Sequence, residues 1–213
     1  MCYNYLTARN KKGEIVISLQ GGKLAGGNPK DKRVDNDFYA TDPKAVEMLI
    51  EKYSFNNGVF LEPCVGNGNI SKVIELKYPN SNIEGIDIVD RGYPNTVISN
   101  FLTYKTDKKY DNIITNPPYS LAKEFVEKGM EMLNSNGKMA MFLKIQFLES
   151  EKRIDMFKKH PPKYIYVFSK RMATWNNGEP TDKNGKRWAT TMCHAWFVWE
   201  KNNKEEPKVR WLY

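Results

Sequence analysis

Phe60-Leu61-Glu62-Pro63-Cys64-Val65-Gly66-Asn67-Gly68-Asn69 decides the fold. Its first part is apolar and ends a short strand over 58–61. Its second part turns on two glycines and leads into a helix over 71–76. Gly66 and Gly68 allow a tight turn and let backbone approach a ligand with no side chain between. Glu62, and Cys64 after it, stand at the strand's carboxyl end, where open α/β sheets bind ligands. A carboxylate there repels a pyrophosphate and suits an ammonium group. A single GxG is a weak signal, so the flanking sequence has to support it.

Working outward, residues 83–88 read as a second strand, within Gly85-Ile86-Asp87-Ile88-Val89-Asp90. Asp87, with Ile88 beside it, follows the glycine turn at the spacing of one βαβ unit. An acid at that point accepts hydrogen bonds from both hydroxyls of a ribose; Asp90 is the second choice. Residues 96–99, 110–115 and 139–145 read as further strands, and 164–168 and 195–199 as two late ones. Between them run helical faces. Val46, Leu49, Ile50 and Tyr53 follow Pro43, with Thr41 or Asp42 as cap. Ala122, Phe125, Val126, Gly129, Met130 and Leu133 form another face, and 149–157 a third helix. The expectation is an α/β, Rossmann-like domain with a mostly parallel seven-stranded sheet, an antiparallel last strand and helices on both faces.

The expected domain covers 34–201. Residues 1–33 read as an N-terminal arm, with a strand at 14–19 and a glycine- and lysine-rich stretch at 21–33. Residues 170–191 read as a basic hairpin insertion, and 202–213 as a tail.

The 213 residues carry a formal charge of +8. Such a surplus on a small domain favours a polyanionic partner, nucleic acid above all, through counterion release. Cys2, Cys64 and Cys193 are far apart, with no CxxC or Cys/His ligand spacing, so no disulfide framework and no metal site is expected. Reduced thiols and the absence of a long apolar run fit a cytoplasmic protein with no membrane partner. Oligomeric state is not legible at this level.

The fourth strand closes in Asn116-Pro117-Pro118-Tyr119, or NPPY. An adenine amino nitrogen is a poor nucleophile because its lone pair is delocalised into the ring. Two acceptors aimed at its hydrogens localise that pair and favour a tetrahedral transition state. The Asn116 side-chain oxygen can be one and the Pro117 carbonyl the other. Each proline restricts the residue before it to extended geometry and removes a competing N–H. Tyr119 offers a face on which an extruded base can stack.

On these motifs the chain resembles the N6-adenine-specific DNA methyltransferases of the class I, S-adenosylmethionine-dependent type, especially small bacteriophage-type members. The resemblance covers most of 34–201. It implies S-adenosylmethionine as cofactor and DNA, rather than RNA, as partner. It also implies residue roles. Asp37-Phe38-Tyr39-Ala40-Thr41-Asp42-Pro43 resembles the family's DFYxTP segment, with Asp42 inserted. Phe38 and Tyr39 would flank the cofactor, and the Thr41 hydroxyl would meet its carboxylate. Glu62, Cys64, Gly66 and Gly68 match the glycine motif, and Asp87 with Ile88 the ribose site. Asn100 and Phe101 would meet the cofactor adenine. Asn116, Pro117, Pro118 and Tyr119 match the catalytic motif. His194-Ala195-Trp196-Phe197-Val198-Trp199 resembles the late strand whose aromatic helps hold the flipped base. Trp196 is the choice for that role, while at least one of the two tryptophans packs in the core. His194 reads as a polar strand-end residue rather than a base. The family's larger members with this motif order carry a recognition domain after the late strands, and the expectation is that this one does without it. Lys170, Arg171, Trp175, Lys186 and Arg187 interleave cations with aromatics and are the expected substitute.

Three other readings stay open on the residues alone: the same chemistry on RNA adenine, the same chemistry on a protein glutamine amide, and a non-catalytic nucleic-acid-binding module. An NAD-type dehydrogenase lacks a third glycine at the expected place and leaves NPPY unexplained.

Overall fold

The computed structural model describes residues 38–213, together with the backbone of two strands, β1 (Tyr5–Arg9) and β2 (Ile15–Leu19). These two pair antiparallel, so the strand expected at 14–19 is present and has a partner that the sequence reading does not foresee. The glycine- and lysine-rich stretch at 21–33 lies outside the described residues.

From Phe38 the order is β3 (Tyr39–Ala40), α1 (Pro43–Lys52), β4 (Val59–Pro63), α2 (Asn69–Lys77), β5 (Asn82–Asp87), β6 (Val97–Ile98) and β7 (Tyr110–Thr115). It continues with α3 (Ala122–Met132), β8 (Leu133–Lys144), α4 (Ile154–Lys159), β9 (Tyr164–Phe168), β10 (Trp175–Asn176), β11 (His194–Glu200) and β12 (Lys208–Leu212). Asp42, not Thr41, caps α1: its side chain accepts from Lys44 N at 2.9 Å, and Pro43 starts the helix.

Eight strands form one sheet in the order β12-β9-β11-β8-β7-β4-β5-β6. β6, β5, β4, β7 and β8 are parallel neighbours, and β11 runs antiparallel to both β8 and β9. This is the expected mostly parallel sheet with a reversed final strand, plus one strand more. Residues 208–212, read as part of a tail, form an edge strand parallel to β9. In place of the helix expected over 149–157, a short 3-10 turn, Glu151–Arg153, precedes α4.

Both faces of the sheet are buried, which explains the unbroken apolar run in β8. Met139, Met141 and Leu143 enter one core with Phe125, Val126 and Met130 of α3 and Met156 of α4. Ala140 and Phe142 enter the other with Val46 and Leu49 of α1 and Ile70, Val73 and Ile74 of α2. β11 alternates likewise: Ala195, Phe197 and Trp199 join the first core, Trp196 and Val198 the second. No helix among the described residues is long and apolar enough to cross a membrane.

Candidate active site

Parallel strands bring their carboxyl ends to one edge of the sheet, and here that edge carries an open cleft. The chain reaches it first at the turn after β4. Cys64 N and Val65 N both donate to Ile86 O, at 2.7 and 3.0 Å, locking the turn onto β5. Gly66 N donates to Asp87 Oδ2 at 2.8 Å, and Val89 N to Asp87 Oδ1 at 3.1 Å. Asp87 therefore shapes the turn while its side chain borders the cleft. Gly66 and Gly68 have φ of +55° and +81°. A Cβ on Gly66 would lie 3.0 Å from the Phe38 ring, and one on Gly68 would lie 2.2 Å from that of Tyr93. The motif's glycines are thus demanded by backbone conformation and by close approach together.

Glu62 is 2% exposed and faces inward. Its carboxylate accepts from the Ser71 N–H at 2.9 Å and from the Ser71 hydroxyl, tying β4 to α2. Burial drives its pKa well above the ordinary value, and the Asp87 and Glu75 charges add to the rise against the Ser71 bonds. The folded chain then holds a proton that the unfolded chain releases, so this group's contribution to stability falls as pH rises from the unfolded pKa through the raised one. Glu62→Gln should therefore raise the melting temperature of the ligand-free protein at pH 8. That gain should shrink toward pH 5, which a pair of melting curves checks.

Beside Glu62 a small recess is lined by Thr41, Asn69, Asn116 and the glycine turn. The Thr41 hydroxyl is buried there with no hydrogen-bond partner among the described residues. An orphaned buried hydroxyl costs free energy unless a ligand meets it. Cys64 borders both the recess and the cleft. Burial pushes its thiol pKa well up, the Asp87 and Glu62 charges adding to it, so it is no nucleophile.

The main cleft has an empty volume of about 1240 Å³ including its open mouth. Phe38, Tyr39, Cys64, Gly66, Asp87, Ile88, Asn100 and Phe101 of the expected cofactor residues line it, whereas Thr41 and Glu62 line the smaller recess and Gly68 lines neither. Phe38 lies under the Arg91 guanidinium, 4.2 Å from its ring centroid. Phe101 is 3% exposed and packs on Phe125 at 5.0 Å. Asn100 turns its side-chain oxygen back to Leu102 N at 3.0 Å, so that oxygen stabilises its own turn.

Asn116, Pro117, Pro118 and Tyr119 line the same cleft. β7 is held to β4 by the Thr115 hydroxyl, which donates to Pro63 O. The Asn116 Nδ2 donates to Tyr39 O at 3.1 Å. An amide is planar, with nitrogen and oxygen on opposite sides, so the Tyr39 carbonyl fixes which way Oδ1 faces. Pro118 precedes a 3-10 turn, Tyr119–Leu121, closed by Leu121 N on Pro118 O at 2.9 Å.

Of the late strand, the cleft receives His194 but not Trp196. The role assigned to Trp196 is corrected here. Its indole is 0% exposed, donates from Nε1 to Ala45 O at 2.8 Å and packs edge-on against Phe142. The alternation of β11 turns it into the core under α1, where no base can reach it. His194 is stacked on Phe142 at 4.8 Å and lies 6.0 Å from the Tyr119 ring. Its Nδ1 lies 2.9 Å from Met172 O, a carbonyl that only accepts, so Nδ1 carries the hydrogen. Burial lowers its pKa to about 4, against a smaller opposing effect of that hydrogen bond and with help from the Lys144 charge. His194 is thus neutral near pH 7.

The sequence reading also omits Lys144, at the end of β8, and Arg91, Thr174, Thr190 and Met192, all lining the cleft. Lys144 is visible only once His194 and Lys144 are known to be paired across β11 and β8. Lys170, Arg171, Lys186 and Arg187 are exposed and none lines the cleft. Trp175 is half-buried, because β10 pairs with β3, Trp175 opposite Ala40. The connection that carries these residues is also joined to the cofactor side by Asn177 N donating to Phe38 O at 2.7 Å. Among the described residues no cluster of three or more His, Cys, Asp or Glu side chains could hold a metal ion.

No family model matches the chain. Type II methyltransferase M.CvrRI of Paramecium bursaria Chlorella virus XZ-6E is 29% identical over 150 residues, covering 57% of this chain and 40% of that protein. Type II methyltransferase M.HincII of Haemophilus influenzae is 30% identical over 115 residues, covering 53% and 23%. The chain thus spans less than half the length of the curated relatives it matches. A solved structure assigned as a class I S-adenosylmethionine-dependent methyltransferase, from Listeria monocytogenes, superposes with a TM-score of 0.54 at 15% identity, covering 79% of this chain and 61% of that one. The sheet order, the reversed β11 and this superposition agree: the chain has the fold of the class I methyltransferases, and its sequence is similar to type II methyltransferases.

Proposed function

We propose that this chain binds S-adenosylmethionine in the cleft and transfers its methyl group to the exocyclic amino group of adenine in DNA, in the cytoplasm. The observation that carries this reading is the orientation of Asn116. Its Nδ2 is spent on Tyr39 O, which leaves Oδ1 as an acceptor beside Pro117 and Tyr119, in the cleft that also holds the glycine turn and Asp87.

The residues present fit the cofactor. Asp87 suits the ribose hydroxyls, and Ile88 and Phe101 offer apolar surface to the adenine. The unpartnered Thr41 hydroxyl suits the methionyl carboxylate. Gly66 leaves room where a Cβ would press on Phe38. S-adenosylmethionine supplies an electrophilic methyl group when bound.

The chain's own part is positioning and electrostatics. Tyr119 takes the extruded base on its face. Asn116 Oδ1 and Pro117 O accept the two amino hydrogens and localise the nitrogen lone pair. The exposed cations of 170–191 lie where a phosphate backbone would pass if the base enters between Tyr119 and that connection, and this segment is the target-recognition element in this reading. The similarity to type II methyltransferases supports DNA as substrate.

The test is to incubate the purified protein with labelled cofactor and with unmethylated bacterial DNA or RNA, then digest to nucleosides. Label in N6-methyldeoxyadenosine is expected. Label only in a methylated cytosine, only in RNA nucleosides, or in protein glutamine overturns the adenine-in-DNA reading.

A further inference from the structure

We propose that Lys144 holds the target base by donating a hydrogen bond from its ammonium to a ring nitrogen of that base. This rests on the adenine reading above and names the group that meets the rest of the purine.

The position follows from the sheet. β8 runs parallel to β7, so Lys144 ends its strand at the edge where Asn116 ends β7. It faces His194 in register across β11. Its Nζ lies 5.4 Å from the centroid of the Tyr119 ring, over the surface assigned to the base. Lys144 is a partly buried lysine, and a charge at such a place gains from a partner. Among the described residues no carboxylate lies within ion-pair distance of Lys144. Its register partner His194 carries its hydrogen toward Met172 and is neutral. Leu121, Thr174, Thr190 and Met192, which complete this half of the cleft, are uncharged. Among the described residues, the ammonium meets the Tyr119 ring through cation–π attraction.

The chemistry of adenine supplies the rest. Its two amino hydrogens are its only donors in a nucleotide, and Asn116 and Pro117 take both. What remains on the ring are acceptors, N1, N3 and N7, so the rest of its edge must meet a donor. Among the described residues the cleft lining carries two cations, Lys144 and Arg91, and Arg91 is held against Phe38. When the base takes its place on Tyr119, the ammonium exchanges the ring face for the edge of the base. The phosphates are left to the exposed cations of 170–191.

The experiment compares wild type with Lys144→Met and Lys144→Arg on unmethylated bacterial DNA. It reads three quantities: affinity for S-adenosylhomocysteine by calorimetry, DNA affinity by anisotropy, and the single-turnover transfer rate at saturating DNA. The methionine variant should lose about 10- to 100-fold in single-turnover rate, as for an interaction realised at the reacting base, with both affinities within about 3-fold of wild type. The arginine variant, which keeps a donor, should recover to within about 10-fold of wild type. An unchanged rate overturns the proposal. So does a loss confined to DNA affinity with a salt slope lowered by about one, which makes Lys144 a phosphate contact. A loss confined to cofactor affinity or to the melting temperature makes it structural and also overturns it. If wild type itself transfers no methyl group to DNA while binding S-adenosylhomocysteine, the functional reading fails first and this assignment falls with it.

Discussion

Asn116→Ala should slow methyl transfer by about 10²–10³-fold, the loss found when one acceptor or donor aimed at developing charge is removed from an enclosed site. The amide does two things in this structure. Through Nδ2 it is held by Tyr39 O at 3.1 Å, and in the proposed function Oδ1 is the acceptor offered to the base. Alanine abolishes both, whereas the glycine turn and Asp87 are held by their own bonds to Ile86, Gly66 and Val89. Affinity for S-adenosylhomocysteine should therefore stay within a few-fold while the single-turnover rate collapses. Asn116→Asp separates the two roles. It keeps an acceptor but sets a carboxylate against the Tyr39 carbonyl, so its rate should fall between wild type and alanine. Normal turnover in the alanine variant would refute the assignment.

Trp196→Ala should cost about 3–5 kcal/mol of stability, as for other fully buried aromatic truncations. A domain of ordinary stability has about 5–15 kcal/mol in all, so the variant should melt roughly 6–20 °C lower. The indole is completely enclosed, hydrogen-bonded to α1 and packed edge-on against Phe142, so alanine would leave a cavity there. Trp196→Phe keeps most of the volume and loses the N–H, so a loss of about 1 kcal/mol follows. Its methyl-transfer rate, measured well below the melting point, should match wild type. A phenylalanine variant that is stable but inactive would return Trp196 to the base-holding role.

Much of this was legible in the primary structure. Residues 110–115 and 164–168 are strands to the residue: 164–168 is an unbroken β-branched and aromatic run, and in 110–115 Tyr110 and Ile113 to Thr115 carry the signal across Asp111 and Asn112. The turn after β4 and its bond to Asp87 were legible because one segment carries them: the two glycines and Asp87 sit a fixed distance apart on a βαβ unit. What escaped notice has physical reasons. Residues 208–212 alternate charge with apolar side chains, and such an exposed edge strand reads much like a solvated tail. β3 and β10 are two residues each and 135 apart, counting Ala40 to Trp175, and their pairing leaves no periodicity to find. Trp196 and His194 share a face of β11, and only the depth of α1 above it tells that one is sealed in the core while the other borders the cleft. Lys144 looked like an ordinary charged strand end.

The reversed direction of β11 has a consequence for how such a chain can diversify. β9 runs parallel to β8, so the segment from 169 to 193 leaves at the cleft rim and returns there, where His194 meets Lys144. Length changes there leave the eight-stranded sheet intact, but only the stretch from 179 to 189 is free to change, because residues within 172–178 bond to β3, Phe38 and His194, and residues 174, 190 and 192 line the cleft. If this segment reads the target, as proposed above, a new specificity would come from exchanging its outer part on the same scaffold.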